Sequence, residues 1–194
     1  MVLEATVAYA FPLGNVWGSS SWNPAVPMSV AWTGAIPLGV AGRYWFTPNV
    51  SAGAYFQWGS ALLASPGFDG IAGTSGYDLR LGIEFAYGFA PEAALDPWVS
   101  VGTGWEWTQY SGTKGTGEIA SVSMSGWEYL NVQAGLEFKL TPVFGIGPYV
   151  GFVAGNYTNI VASGASQGWG GAIPPDARSF HGWLQFGAKG TATF

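Results

Sequence analysis

The segment FHGWLQFGAKGTATF (Phe180–Phe194) decides how the chain is read. Phe180, Gly182, Leu184, Phe186, Ala188, Gly190, Ala192 and Phe194 are apolar or small and fall on every second position, with His181, Trp183, Gln185, Lys189, Thr191 and Thr193 between them. Successive side chains of a β-strand point to opposite faces, so this period of two describes a strand with one hydrocarbon face and one largely polar face. A sheet of such strands fits between lipid on the outside and a closed polar interior.

Composition points the same way. Hydrophobic residues form 48% of the 194-residue chain and charged residues only 9%, against roughly 25% charged in a typical soluble protein. The 31 glycines, 11 tryptophans and 9 tyrosines suit twisted strands and aromatic girdles at two membrane interfaces. Cysteine is absent, which removes disulfides and thiolate metal sites. One histidine among scattered carboxylates does not make a transition-metal site, and no cofactor is expected. Gly102-Thr103-Gly104 and Gly115-Thr116-Gly117 lack the strand-to-helix setting of a phosphate loop. A net charge of -5, with no run of Lys or Arg to follow phosphates, excludes nucleic acid as a partner. Met1 precedes Val2 and Leu3 with no basic, apolar and small-residue series of a signal peptide, so a mature form is expected.

No charged residue occurs between Glu4 and Arg43 or between Lys139 and Asp176, so spanning helices must be weighed. A helix that crosses a bilayer needs about 20 apolar residues in a helix-compatible sequence. Pro12, Pro24, Pro27 and Pro37 break the first stretch, and Pro142, Pro148, Pro174 and Pro175 the second. In hydrocarbon, the alternative that satisfies every backbone group is a closed barrel.

Turn signals read against alternation give eight strands: Leu3 to Leu13, Ile36 to Thr47, Val50 to Ala61, Tyr77 to Phe89, Trp98 to Ser111, Trp127 to Thr141, Ile146 to Asn156, and Ser179 to Phe194. Connections alternate in length. Pro48-Asn49, Ala90 to Pro97 and Pro142 to Gly145 are short, whereas Gly14 to Ala35, Leu62 to Gly76, Gly112 to Gly126 and Tyr157 to Arg178 are long. The expectation is a single domain over 1–194, an all-β, closed, antiparallel up-and-down barrel with short periplasmic turns and four long extracellular loops. Both termini are then periplasmic.

Charges test the assignment. One face carries residues such as Ala5, Val7, Leu38, Val40, Leu81, Ile83, Val99, Val101, Val132 and Leu136 and no charge. Tyr9, Phe11, Tyr44, Phe46, Trp58, Trp105, Trp107, Phe138 and Phe194 are its membrane-interface and lipid-facing aromatics. The other face carries Glu4, Arg43, Asp78, Arg80, Glu84, Glu106, Glu137, Lys139 and Lys189. Inverting the faces would expose those charges to lipid at roughly 2–4 kcal/mol for each Arg or Lys near the midplane, which a net stability of about 5–15 kcal/mol does not absorb. The expected lumen charge cluster is therefore Glu4, Arg43, Arg80, Glu84, Glu106, Glu137, Lys139 and Lys189. Of these, Glu4, Arg43, Glu84, Glu137, Lys139 and Lys189 are expected to pair toward the periplasmic half, as a satisfied polar core rather than a proton or ion path. Glu128 has the wrong parity and is expected at the outer rim.

The terminal Phe194, the alternation that precedes it, the rhythm of short turns and long loops, and the segment PLGVAGRYWFTPNVSAGAYFQWG (Pro37–Gly59), with its Thr-Pro-Asn turn, together resemble the small bacterial outer-membrane β-barrels of the OmpA/OmpX-like type. The resemblance spans the chain and implies an architecture, a bacterial outer-membrane location, surrounding outer-membrane lipids and insertion by the barrel-assembly machinery. It does not specify an activity.

Eight strands leave an interior that side chains fill. Large inward residues (Arg43, Tyr55, Gln57, Arg80, Gln133, Lys139, Gln185) alternate with inward glycines (Gly39, Gly53, Gly82, Gly102, Gly104, Gly135, Gly187), as a packed taper requires. The expected role is structural, or an interaction with an extracellular protein or glycan through long loops that carry Trp17, Trp22, Trp32 and Trp169, in a monomer and without enzymatic activity. Trp32 also alternates with Met28 and Val30, as an extension of the second strand would. The first alternative is a narrow pore for water, ions or small solutes. The second is a lipid-modifying enzyme, with His181 near the outer end of the last strand, Ser179 close in sequence and Ser123, Ser125 and Glu128 across the rim.

Overall fold

The period-two stretches form strands of a closed sheet. A computed structural model describes residues 1–18, 24–64, 72–113, 116, 119–164 and 169–194. Its strands are β1 (Val2–Trp17), β2 (Val26–Pro27), β3 (Trp32–Trp45), β4 (Val50–Leu63), β5 (Ala72–Gly88), β6 (Leu95–Thr113), β7 (Ile119–Lys139), β8 (Phe144–Ser163), β9 (Trp169–Ala172) and β10 (His181–Thr193). Eight are long; β2 and β9 are short additions that pair with β1 and β8. The long strands run antiparallel to their sequence neighbours, and β10 pairs with β8 on one side and with β1 on the other. The β1–β10 seam runs from Val2 opposite Thr193 to Gly14 opposite His181, and it closes the sheet into an eight-stranded barrel. Closure removes the unpaired edges that an open sheet would present to hydrocarbon.

Two turns at the end that carries the termini use the same device. Thr47 Oγ1 accepts from the amides of Asn49 and Val50, at 3.3 and 3.0 Å. Thr141 Oγ1 accepts from those of Val143 and Phe144, at 3.2 and 2.9 Å. Each threonine precedes a proline, whose fixed φ sets the turn while the hydroxyl satisfies the amides that follow. In the third turn Asp96 Oδ1 accepts from the Ala90 amide at 2.7 Å.

Several strands extend further toward the long loops than alternation alone suggests. β3 begins at Trp32, β7 at Ile119 rather than Trp127, and β8 continues to Ser163 rather than Asn156. Serine-rich segments read as loops, yet Ser121, Ser123 and Ser125 alternate with Ala120, Val122 and Met124, which are buried.

Bulges explain the one charge with the wrong parity. Gly102 faces Asn131 and Gly104 faces Glu128, so β7 holds an extra residue opposite β6. Ser125 faces Asn159 and Gly126 faces Tyr157, so β8 holds an extra residue at Thr158. An inserted residue swaps the faces of everything beyond it. Glu128, expected at the outer rim, is therefore in the lumen and fully buried, and Ile160 is likewise turned inward. Thr103 Oγ1 donates to the Glu128 carbonyl at 2.7 Å and Thr158 Oγ1 to the Ser125 carbonyl at 3.3 Å, supplying partners where the ladder is interrupted.

Outside, every long strand contributes exposed apolar side chains, among them Leu3, Val7, Leu38, Val40, Phe56, Leu81, Ile83, Val101, Leu136, Val150 and Phe186. An apolar surface that encircles the molecule calls for lipid around it. No helix among the described residues is long and apolar enough to cross a membrane.

Candidate functional site in the barrel lumen

Register places the charges in layers. Near the termini, Arg43 on β3 faces Gly53 on β4, which faces Glu84 on β5. The missing side chain at Gly53 leaves a path across β4, and Arg43 Nη1 donates to Glu84 Oε1 at 3.1 Å. Its Nη2 donates to the Glu4 carboxylate, and Lys189 Nζ donates to the same oxygen, Glu4 Oε1, at 3.1 Å. The ammonium also sits 3.1 Å from the ring centre of Trp98. All four charged residues are buried, and each has the opposite charge that burial requires.

A second layer lies closer to the long loops. Asp78 and Arg80, two apart on β5, share a face. Gln57 and Glu106 lie directly opposite Arg80 on its two neighbouring strands. Arg80 Nη2 lies 2.5 Å from Asp78 Oδ2 and 3.3 Å from Glu106 Oε1, its Nη1 donates to Gln57 Oε1 at 3.1 Å, and its Nε is 3.5 Å from Glu128 Oε2. Glu106 also accepts from the Tyr157 hydroxyl and the Trp183 indole, each at 3.3 Å, and lies 2.6 Å from His181 Nε2. The His181 ring stacks on Tyr157, with centroids 3.9 Å apart and planes at 9°. The Tyr55 hydroxyl donates to Glu128. Gly82 and Gly104 make room for that ring: a Cβ at either would run into the Tyr55 hydroxyl, at 2.8 Å for Gly104.

Above this layer the lumen is apolar. Val16, Met28, Trp32, Tyr110, Val122, Met124, Ile160, Ile173 and Trp183 form one buried cluster. Trp32 packs edge-on against Tyr110 and Trp183, at 6.4 and 6.5 Å between centroids. Met28 and Ile173 come from the connections between long strands and fold inward over the barrel. Sequence reading missed this plug. The alternation of Val122 with Met124 is its visible signal; that of Met28, Val30 and Trp32 is not, because Met28–Val30 forms a 3-10 turn that leaves Val30 exposed and β3 begins only at Trp32.

Several site expectations change with these positions. Of the six residues expected to pair near the termini, Glu4, Arg43, Glu84 and Lys189 meet, while Glu137 and Lys139 are half-buried in the wall of a cavity at that mouth, which Arg43 and Lys189 also line. Arg80 and Glu106 belong to the second layer. His181 is not at a rim: it is 1% exposed and engaged by Glu106. Trp32 is inside rather than in an outer loop, Trp22 lies outside the described residues, and so does the side chain of Trp169. Tyr9, Phe11, Tyr44, Phe46, Trp58, Trp107, Phe138 and Phe194 are exposed on the outer wall, with Trp105 half-buried between Trp107 and Trp127. No group of three or more metal-capable side chains occurs among the described residues.

No protein-family model and no curated protein sequence matches the chain. Solved structures do. The chain is similar to the outer membrane protein AlkL in DMPC bilayers (TM-score 0.55, 14% identity, 100% of this chain and 90% of that one). It is also similar to a major outer membrane protein from Thermus thermophilus (TM-score 0.52, 10% identity, 97% and 99%). A third is the outer membrane protease OmpT from Escherichia coli (TM-score 0.50, 10% identity, 100% and 97%). At such identities the likeness is one of fold. Closed register, lipid-facing exterior and these likenesses together give the protein the fold of the small eight-stranded outer-membrane β-barrels, the OmpA/OmpX-like type that its sequence resembles.

Proposed function

We propose that the protein is an integral barrel of the bacterial outer membrane, with both termini in the periplasm, acting as a structural and surface-interaction element rather than as a pore or an enzyme. The apolar plug over a fully buried ion-paired layer carries this reading. An ion crossing it would have to shed water against the side chains of Trp32, Met28 and Ile160, which offer no charge to replace its hydration. Short turns at the end with the termini and longer connections at the other support the orientation. His181 gives no support to catalysis, because its Nε2 and one ring face are taken by Glu106 and Tyr157.

What remains for contact with the surroundings is the lipid belt, which the assembly machinery would deliver to the membrane, and the long outer connections, which present the monomer to an extracellular protein or glycan. Planar-bilayer recording on purified protein tests the sealed interior. A silent bilayer is expected; discrete steps that vanish in Arg80→Ala or Glu106→Gln would assign a narrow pore instead. Acyl release from lipid A that disappears in His181→Ala would assign the enzyme class. Binding of protein-bearing vesicles to glycan and matrix-protein arrays is expected to disappear when the outer connections are shortened, and binding that survives shortening would remove the surface role.

A further inference from the structure

A cavity of about 330 Å³ opens at the mouth that carries the termini, bordered by the cations of the first charged layer. Its lining includes Arg43 of β3, Asp96 and Trp98 of β6, Glu137 and Lys139 of β7, and Lys189 and Thr191 of β10. Arg43 and Lys189 line it, whereas Glu4 and Glu84, which neutralise them, do not. Those ion pairs hold the two cations in place at the edge of the cavity.

Three buried polar atoms on the lining residues have no protein partner: Arg43 Nε, Trp98 Nε1 and Thr191 Oγ1. Arg43 and Trp98 are each 5% exposed and Thr191 is 6%. All three can donate, and the first two can only donate. Buried donors without acceptors cost about 1–3 kcal/mol each, so an acceptor supplied by a ligand is worth more here than at the surface. Of the carboxylates on the lining, Asp96 already accepts from the Ala90 amide. Glu137 lies against Gly145 of β8, half-buried beside Lys139, and accepts no hydrogen bond from a described side chain.

The geometry points to a binding site for a small zwitterion, a free amino acid or short peptide. Its carboxylate would meet Arg43, Trp98 and Thr191, and its ammonium would meet Glu137. A simple anion fits less well, because Glu92, Asp96 and Glu137 share the lining and would oppose an uncompensated negative charge. The site opens on the periplasmic side in the orientation proposed above, but its chemistry does not depend on whether the barrel conducts.

Side-chain N–H resonances report on it directly. Protein labelled with ¹⁵N in phosphatidylcholine nanodiscs is titrated with alanyl-alanine, with its C-terminal amide and with its N-acetyl form. The dipeptide is expected to shift the Trp98 indole and Arg43 Nε–H signals saturably. The C-terminal amide should leave both in place, and the N-acetyl form should bind about tenfold more weakly, the loss of one charge-assisted contact. Trp98→Phe keeps a ring under Lys189 but removes the indole donor, and should weaken the dipeptide about tenfold while unboiled protein still migrates differently from boiled protein on SDS gels, as a folded barrel does. Glu137→Gln should weaken the dipeptide without affecting the N-acetyl form. The free amino acid alanine run alongside separates the two sources, since only a site that needs the peptide unit will ignore it. Identical shifts with all three dipeptide forms, shifts reproduced by sodium chloride alone, or no shift with the dipeptide would each overturn the assignment.

Discussion

Arg80 is the residue on which the lumen turns. It stands among Asp78, Glu106 and Glu128, and among the described residues no second strong base lies within ion-pair distance of those carboxylates; Glu106 has only the His181 imidazole besides. Arg80→Ala should therefore lower stability by about 3–5 kcal/mol, the cost of stranding buried charges, seen as a lower urea midpoint for the vesicle-inserted barrel. Arg80→Lys is expected to rescue little, because one ammonium cannot reproduce the fork that reaches Gln57 and the carboxylates together. Salt should move the wild-type midpoint only slightly, since buried pairs are poorly screened. Much at this scale was legible in the sequence: Glu4, Arg43, Arg80, Glu84, Glu106 and Lys189 share the inner face because alternation and the cost of charge in lipid leave no other face. Pairing was not legible. Which carboxylate meets Arg43 depends on cross-strand register and on the gap at Gly53, and neither follows from one strand's pattern.

At the scale of elements, the paired bulges of β7 and β8 set the outer half of the barrel. Deleting Tyr129 should remove the bulge and leave β7 in strict alternation, with Glu128, Met124 and Val122 still inward, because Glu128 then directly precedes the outward-facing Leu130. The deletion variant is expected to keep the mobility difference between boiled and unboiled samples on SDS gels that marks a folded barrel, and adding Glu128→Leu to lower the urea midpoint by removing the carboxylate that Tyr55 and Arg80 face. A gentler change, Thr103→Val, keeps shape but leaves the Glu128 carbonyl without its hydroxyl donor, at a cost of about 1–3 kcal/mol that a shift in urea midpoint at unchanged circular dichroism would register. A reader of the sequence meets the bulge only as an apparent error, the charge at position 128 on the wrong face. The extra residue has no signature of its own, because Tyr129 and Leu130 both tolerate lipid. The extended ends of β7 and β8 were hidden for a related reason: serine on a solvent-facing strand reads like serine in a loop.

For the whole molecule, the apolar plug and the charged layers are stacked along the barrel axis and resist different insults. Trp32→Ala would open a cavity in the plug and should cost about 3–5 kcal/mol. Planar bilayers should nevertheless stay silent, because the layer built on Arg80 and Glu106 still fills the lumen below. Conductance in this variant alone would mean that the plug is the only seal. Fold class and strand number were readable from alternation, proline placement and charge, whereas the inward set beyond the bulges, Glu128 and Ile160 among it, was not. The plug was not, because it is assembled from two connections and several strand ends that meet only in three dimensions.

The seam between the first and last strands has a kinetic meaning. Residues 1 and 194 exchange hydrogen bonds, Met1 N to Phe194 O at 2.6 Å and Phe194 N to Met1 O at 2.8 Å, and from there β1 lies beside β10 as far as Gly14 and His181. In sequence these partners lie 193 residues apart, so the first strand of the barrel to be synthesised has one edge that stays vacant until its last strand has been made. Loop-closure entropy must be met in full before that ladder returns anything, and a barrel that lacks its final strand remains an open ribbon with two adhesive margins. A permutant joined at 194 and 1 by a short glycine linker, and opened between Ala64 and Ala72, should still insert, with the β4–β5 ladder now the seam that closes last.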